Sequence, residues 1–200
     1  MAKENLKEAL RKSVHLSSVA IPLAYRYILG FNNRLLMFFL MMAALILSLG
    51  MEFYRLHIPS FRKLFHRMFG LILRRHEHRD FTGSTFLIFA GMLSVAFFEP
   101  IIVFLSMSYL SIGDTFAAMV GKAFGKRKLT GSRKSIEGSL ACFTSIMIFS
   151  AFFGGELSPW VYTIGALSAT LAEAWKIPVD DNVKIPLISG IVMSLVHIFI

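Results

Sequence analysis

The chain has one cysteine, Cys142, in 200 residues. That excludes an internal disulfide framework and a cysteine-based zinc site. Charge is scarce too: 16% of the residues are Asp, Glu, Lys or Arg, against about 25% in soluble domains. An ordinary water-soluble fold is thereby excluded. Acidic residues are the scarcer sign, 12 against 21 Lys and Arg, for a formal net charge of +9. The basic residues form no single tract of the kind that would hold nucleic acid. They sit in short connections between apolar runs, as the loops of membrane proteins do. No small-x-small cleavage site follows the basic N-terminus, so the first apolar stretch reads as an uncleaved span and not as a signal peptide.

What is present is apolar: 56% hydrophobic residues, 20 Phe and 11 Met, with a mean hydropathy of +0.65. The expectation is an all-α, multi-pass transmembrane helix bundle forming a single domain over residues 1–200. A span needs about 20 residues. Seven candidates follow one another: Val14–Leu29, Leu35–Met51, Thr85–Phe98, Ile101–Val120, Ile136–Phe153, Leu157–Trp175 and Ile185–Ile200. Residues 1–12 read as an amphipathic interfacial helix. The connection over 56–82 reads as a basic amphipathic helix lying on the surface, with Phe61, Leu64, Phe65, Met68, Phe69 and Ile72 at helical spacing. Residues 122–135 read as a phosphate-binding loop.

With seven spans, 19 of the 21 basic residues fall on one side, and only Arg26 and Arg34 on the other. The positive-inside rule then predicts a cytoplasmic N-terminus and an outer C-terminus. Glu52, Asp114, Glu137, Glu173, Asp180 and Asp181 fall at or near the cytoplasmic ends. Carboxylates beside many cations on one face are what a metal-nucleotide site requires.

The stretch from Ser111 to Lys128 carries most of that expectation. Asp114 lies toward the end of an apolar run, and a charge within an apolar span is costly enough to mark a functional site. Gly113, Ala117, Gly121 and Gly125 recur every four residues. That spacing suits close helix packing, and equally suits backbone N–H groups approaching phosphate oxygens, with Lys122, Lys126, Arg127 and Lys128 to neutralise them. Farther on, Ser132 or Ser135 caps the next helix. The same helix start, with Arg133 and Lys134, is a candidate anion seat, and Glu137 in its first turn suits the helix dipole or a Mg²⁺ ion. Asp180-Asp181-Asn182 and Glu173 form a further oxygen-ligand set, or are solvated loop residues. Arg11 and Lys12, with His15, read by themselves as an anchor at the membrane surface. His76-Glu77-His78 has the look of a metal motif within a basic loop.

Together these motifs resemble the CTP-using membrane enzymes of lipid metabolism. Gly113-Asp-Thr-Phe-Ala117, Gly121-Lys-x-Phe-Gly-Lys126 and Lys134-Ser-Ile-Glu-Gly138 are similar to signatures of two branches. Phosphatidate cytidylyltransferases carry a related run containing Pro and Trp, both missing from Ser132–Gly138, and are longer. The CTP-dependent lipid kinases of dolichol, phytol and diacylglycerol are the better match. Their Arg-Lys-x-x-His is similar to Arg11, Lys12 and His15. Glu52-x-x-Arg55, Phe81-Thr-Gly-Ser-Thr85, Ala169-Thr-x-x-Glu173 and Asp180-Asp-Asn182 also look similar.

The resemblance implies transfer of the γ-phosphate of CTP to a lipid hydroxyl entering from the cytoplasmic leaflet, at the cell membrane. The family's functional Arg-Lys pair, Asp and Gly map to Arg11, Lys12, Asp114 and Gly121. By their own chemistry Lys122, Lys126 and Lys134 would neutralise the triphosphate, with Gly113, Gly125 and Gly138 as further cofactor-binding positions. Asp114 either holds metal or is the base that orients the hydroxyl. Mg²⁺ would be held by Asp114 with Glu137, Glu173 or Asp180. CTP is implied by the resemblance alone, since no residue is seen to read the base. The alternatives are a phosphatidate cytidylyltransferase and a small lipid transporter. Transporters place polar groups near the bilayer midplane, whereas the ionisable groups here gather at one end of the spans.

Overall fold

The computed structural model describes residues 2–74, 76–129, 134–155 and 157–200, with side chains from residue 7 onward. Its elements are helical: α1 (Ala2–Ser17), α2 (Ala20–Ala24), α3 (Arg34–His57), α4 (Pro59–Phe69), α5 (Gly83–Phe97), α6 (Pro100–Ala123), α7 (Ile136–Phe153), α8 (Pro159–Ala174) and α9 (Asp181–Phe199). Among the described residues there is no strand, only an isolated antiparallel bridge between Lys128 and Ser135. Helix starts follow local chemistry. Pro opens α4, α6 and α8, where its missing N–H costs nothing. Ser135 caps α7 by accepting from the Gly138 N–H at 3.1 Å, and Asp180 caps α9 by accepting from the Asn182 N–H at 2.9 Å.

Among the described residues, four helices are long and apolar enough to cross a membrane: Phe31–His57, Pro100–Ala123, Ile136–Phe153 and Asp181–Phe199. Helices α5 and α8 are apolar but shorter, at 15 and 16 residues. This is a membrane protein. The segment expected as the first span, Val14–Leu29, is not one helix. Helix α1 runs to Ser17, a turn follows at Ser18–Val19, and α2 gives way to a wide π-type turn over Tyr25–Leu29 and then a 3-10 turn over Phe31–Asn33. The hydroxyls of Ser17 and Ser18 donate to the Val14 and His15 carbonyls at 2.7 and 2.6 Å, in competition with the helix's own ladder. Pro22 has no N–H to carry that ladder across. Gly30, with φ of 77°, completes the break.

Helix α6 is the axis of the molecule. It packs against α5, α7, α8 and α9 and receives α1 and α2, and every residue from Ile101 to Ser111 is buried. A helix apolar on all sides belongs in such a position. Its serine and threonine hydroxyls donate within the helix, Ser108 to the Phe104 carbonyl and Thr115 to the Ser111 carbonyl, each at 2.7 Å, while the Tyr109 hydroxyl meets that of Ser150 on α7 at 2.6 Å. Helix α3 lies at the edge against α4 and α5 and leaves Leu35, Phe39, Ile46 and Leu47 exposed, an apolar face suited to lipid. The four-residue ridge of α6 meets α7. A Cβ added at Gly113 would lie 2.9 Å from Cys142 Sγ, and one at Gly138 would lie 2.8 Å from the Ala117 carbonyl oxygen and 3.3 Å from Gly121 Cα. The two helices therefore approach almost backbone to backbone just below Asp114.

Candidate active site

Asp114 is buried on α6, and α1 supplies its partner. The helix brings Lys12 and His15, one turn apart, onto one face. Lys12 Nζ donates to Asp114 Oδ2 at 2.5 Å and to the Asp114 carbonyl oxygen at 3.1 Å. His15 Nε2 lies 3.2 Å from the same carboxylate oxygen. One turn farther along each helix, the Ser18 and Ser111 hydroxyls meet at 2.7 Å, fixing the register of α1 on α6. Arg11 turns aside to Glu8, at 2.6 Å.

A cavity of about 410 Å³ opens beside this pair. Its polar lining includes Lys12, His15, Arg74, Glu77, Thr82, Asp114 and Asn182, while Met51, Phe65, Phe69, Leu87 and Ile88 line much of the rest. A second cavity, of about 670 Å³, adjoins it, and Arg11, Ile72, Leu73 and Arg74 line both. Lys7, Glu8, His78 and Lys122 also line the second.

Arg74 stands in the α4–α5 connection, which two buried carboxylates hold in shape. Glu77 accepts from the backbone N–H of Arg74 at 2.6 Å and of Gly83 at 2.8 Å. Glu52, on α3, accepts from the Thr82 N–H at 2.8 Å and its hydroxyl at 2.6 Å, and from the Thr85 hydroxyl at 3.1 Å. Arg55, one turn on, donates through Nε to Glu52 at 2.7 Å and through its terminal nitrogens to the Glu77 and Asp80 carbonyls, both at 2.6 Å. Arg74 in turn reaches Asp180, at 3.3 Å.

A third polar corner joins the ends of α7, α8 and α9. Lys134 Nζ lies 3.0 Å from Glu173 Oε1 and 3.1 Å from Asp181 Oδ2. Lys184 lies 2.8 Å from the other Asp181 oxygen. Burial works against the Lys134 charge, but Asp181 and Glu173 outweigh it and hold the pKa above the ordinary lysine value. Lys134 is therefore a fixed cation throughout the physiological range.

The sequence expectations divide accordingly. Arg11, Lys12 and Asp114 come together at the apolar cavity, and Lys122 faces the second one. Gly113, Gly121 and Gly138 lie at the α6–α7 contact, and Gly125 packs on the Ser135 side chain. Lys126 is exposed. The four carboxylates expected at a metal do not gather: Asp114 is on Lys12, Glu173 on Lys134, Asp180 on Arg74, and Glu137 accepts from the Arg127 N–H at 3.2 Å. Among the described residues no group of three or more His, Cys, Asp or Glu could hold a metal. His76 and Glu77 join no metal group either, and His78 meets only the His66 ring, at 3.1 Å. The anion seat expected at Ser132 and Arg133 lies outside the described residues. Arg74 is not legible as a site residue, since it belongs to no periodic run; Glu77 is visible only within the His76-Glu77-His78 motif, and it holds backbone N–H groups of the connection.

A smaller metal requirement is still met by the residues present. Glu173 Oε2 is buried without a hydrogen-bond partner. Mg²⁺ commonly takes one or two protein carboxylates, completing its shell with water and substrate phosphates, so the open oxygen of Glu173 fits such an ion.

A buried ion pair lining a largely apolar cavity in a membrane bundle suits an amphiphile with a polar head. The chain belongs to the cytidylyltransferase family, whose profile it matches over residues 2–198. It is 27% identical to a CTP-dependent diacylglycerol kinase 1 of Saccharomyces cerevisiae over 95% of this chain and 74% of that one. A CTP-dependent diacylglycerol kinase 1 of Schizosaccharomyces pombe is 28% identical over 71% and 72%. A probable chloroplastic phytol kinase 2 of Glycine max is 31% identical over 69% of this chain and 53% of its own length. No solved structure matches the chain.

Proposed function

We propose that the protein is a CTP-dependent lipid kinase, transferring the γ-phosphoryl group of CTP to the hydroxyl of a diacylglycerol, phytol or polyprenol type of lipid. The observation that carries this reading is the buried Lys12–Asp114 pair in the lining of a largely apolar cavity. An alkyl chain suits the apolar walls of Met51, Phe65, Phe69, Leu87 and Ile88, and a single hydroxyl suits the pair. The relatives named for diacylglycerol and phytol give the donor and the acceptor class.

Phosphoryl transfer asks the protein for position and charge neutralisation more than for covalent chemistry. The acceptor oxygen forms a bond to the γ-phosphorus, the bond to the β–γ bridging oxygen breaks, CDP leaves and the hydroxyl proton is released. Asp114 accepts the hydrogen bond of the acceptor hydroxyl and so aims its oxygen. Lys12 holds the carboxylate in that orientation, and Arg11 and Lys122 neutralise phosphate oxygens, with Lys126 farther along the same segment. Mg²⁺, when bound, would supply charge neutralisation on the phosphates, held by Glu173. Lys134 fixes the Glu173 carboxylate, and Gly113, Gly121, Gly125 and Gly138 act by allowing α6 and α7 their close approach. In this reading one catalytic domain comprises the whole chain, the seven apolar segments cross the cell membrane, the first of them as a broken helix, and the site opens to the cytoplasmic leaflet.

The test is product formation from CTP with vesicles containing dioleoylglycerol, phytol or dolichol. A phosphomonoester of one of them is expected from the wild type and none from Asp114→Ala. Full activity of that variant would refute the site.

A further inference from the structure

Among the apolar residues that line the Asp114 cavity, three are not covered by the protein. Val14 on α1, Met51 on α3 and Phe69 at the end of α4 line it and stay 54%, 47% and 36% exposed, so they mark where it opens. Met51 is also the last member of a stripe on α3. Leu36, Leu40, Leu47 and Met51, spaced four, seven and four residues apart, share one helical face and are all exposed. Helix α3 is long and apolar enough to cross a membrane, so a face suited to acyl chains runs along it and into the cavity. Helix α4 divides its apolar side in two. Phe65 and Phe69 line the cavity, while Leu64 and Met68, with Leu71 just beyond the helix, are exposed. Lys63 and Arg67 are exposed beside them, and the sequence has no acidic residue between Glu52 and Glu77. Apolar side chains on one face and cations on the other suit a helix lying in the membrane interface, with Lys and Arg stems in the apolar layer and their charges at the headgroups. Helix α4 packs on α3. Arg62 fastens its start by donating to the Arg55 carbonyl at 3.1 Å, and the His66 ring meets His78 at 3.1 Å.

Building on the kinase reading, we propose that the cavity opens sideways into the bilayer through a portal rimmed by Val14, Met51 and Phe69, with α4 lying in the headgroup plane as its lid. The occupant of the portal is the alkyl chain of the acceptor lipid. Continuity with the exposed stripe of a membrane-crossing helix favours lipid over a second protein at this patch. The cavity holds about 410 Å³, near the lower end of small-molecule sites at about 300–1,000 Å³. The hydroxyl and the nearest part of the chain enter, and the rest of a long lipid stays in the leaflet. Chain length beyond the portal is therefore not read by the protein.

The experiment uses the full chain in nanodiscs. A fluorophore attached to the Met68→Cys variant, with Cys142→Ala removing the native thiol, should be quenched by a spin label near the top of the acyl chains and spared by aqueous iodide. Quenching by iodide alone would overturn the placing of α4. A diacylglycerol with a photoreactive diazirine in its acyl chain, added without CTP, should label Val14, Met51 or Phe69. Excess dioleoylglycerol, phytol or dolichol should compete that labelling away. Labelling of Leu167 on α8, which is exposed and lines neither cavity, should resist competition. Val14→Trp crowds the rim at an exposed position, so the KM for the accepted lipid should rise about tenfold, with the KM for CTP changed less than about twofold. Rim labelling that resists competition, with an unaltered lipid KM in Val14→Trp beside an active wild type, would overturn the portal and leave the kinase reading standing. Competed rim labelling in a wild type that transfers the γ-phosphate of CTP to no hydroxyl would sink the kinase reading and keep the portal.

Discussion

At the scale of single residues, the account rests on a pair 102 positions apart in sequence. Lys12 is buried against Asp114, and removing one partner strands the other charge. Lys12→Met should therefore destabilise the protein by about 3–5 kcal/mol, read as a lowered midpoint of thermal unfolding in detergent. The double variant Lys12→Met/Asp114→Asn should recover much of that stability and none of the activity. Recovery of both would make the pair purely structural. Asp114→Asn alone should cost about 10²–10³ in kcat, the scale of losing one preorganised group at a reacting centre. Asp114 was legible as a charge in an apolar run. Arg11 and Lys12 were legible only through resemblance, because by themselves they look like any membrane-surface cations, and a contact between α1 and α6 leaves no trace in local sequence. The sequence offers Asp180 as an oxygen ligand or a solvated loop residue; that it caps α9 is seen only in the structure, where a short side chain ahead of a helix finds the nearest unpaired N–H.

Among the elements, the α4–α5 connection and the α6–α7 contact matter most. Arg55 ties Glu52 to the Glu77 and Asp80 carbonyls, so Arg55→Met leaves a buried carboxylate on hydroxyl and amide donors alone. The expected loss is about 3–5 kcal/mol, accompanied by a raised KM for the lipid as Arg74 and Glu77 shift in the cavity lining; a normal KM with lowered stability would confine the network to folding. Gly138→Val would push a branched side chain into the Ala117 carbonyl and Gly121, costing about 1–3 kcal/mol of overpacking, measurable by the same thermal unfolding. The helices of the bundle were legible from hydropathy, and α7 begins and ends at the residues expected, Ile136 and Phe153. The first expected span was not, because serine hydroxyls, Pro22 and Gly30 break the backbone where average hydropathy sees only apolar composition.

On the scale of the whole molecule, the asymmetry of basic residues predicts a topology that the arrangement of helices alone leaves open. Cys142 is buried and is the one cysteine of the chain, so Cys142→Ala gives a background for single-cysteine labelling. Cysteine introduced at Lys63 or Lys128, both exposed, should react with an impermeant maleimide only after the cytoplasmic side is opened. Cysteine at Ile200 should react in intact cells, and labelling of all three from one side would contradict seven crossings. The central claim is that a lipid hydroxyl takes the terminal phosphate of CTP, and one measurement separates it from nucleotidyl transfer. Purified protein is given CTP labelled at the α- or the γ-phosphate, with diacylglycerol, phytol, dolichol and phosphatidate in parallel. The account predicts label in an alcohol lipid from the γ-position only, with CDP released. Label in phosphatidate from the α-position, with pyrophosphate released, would contradict it.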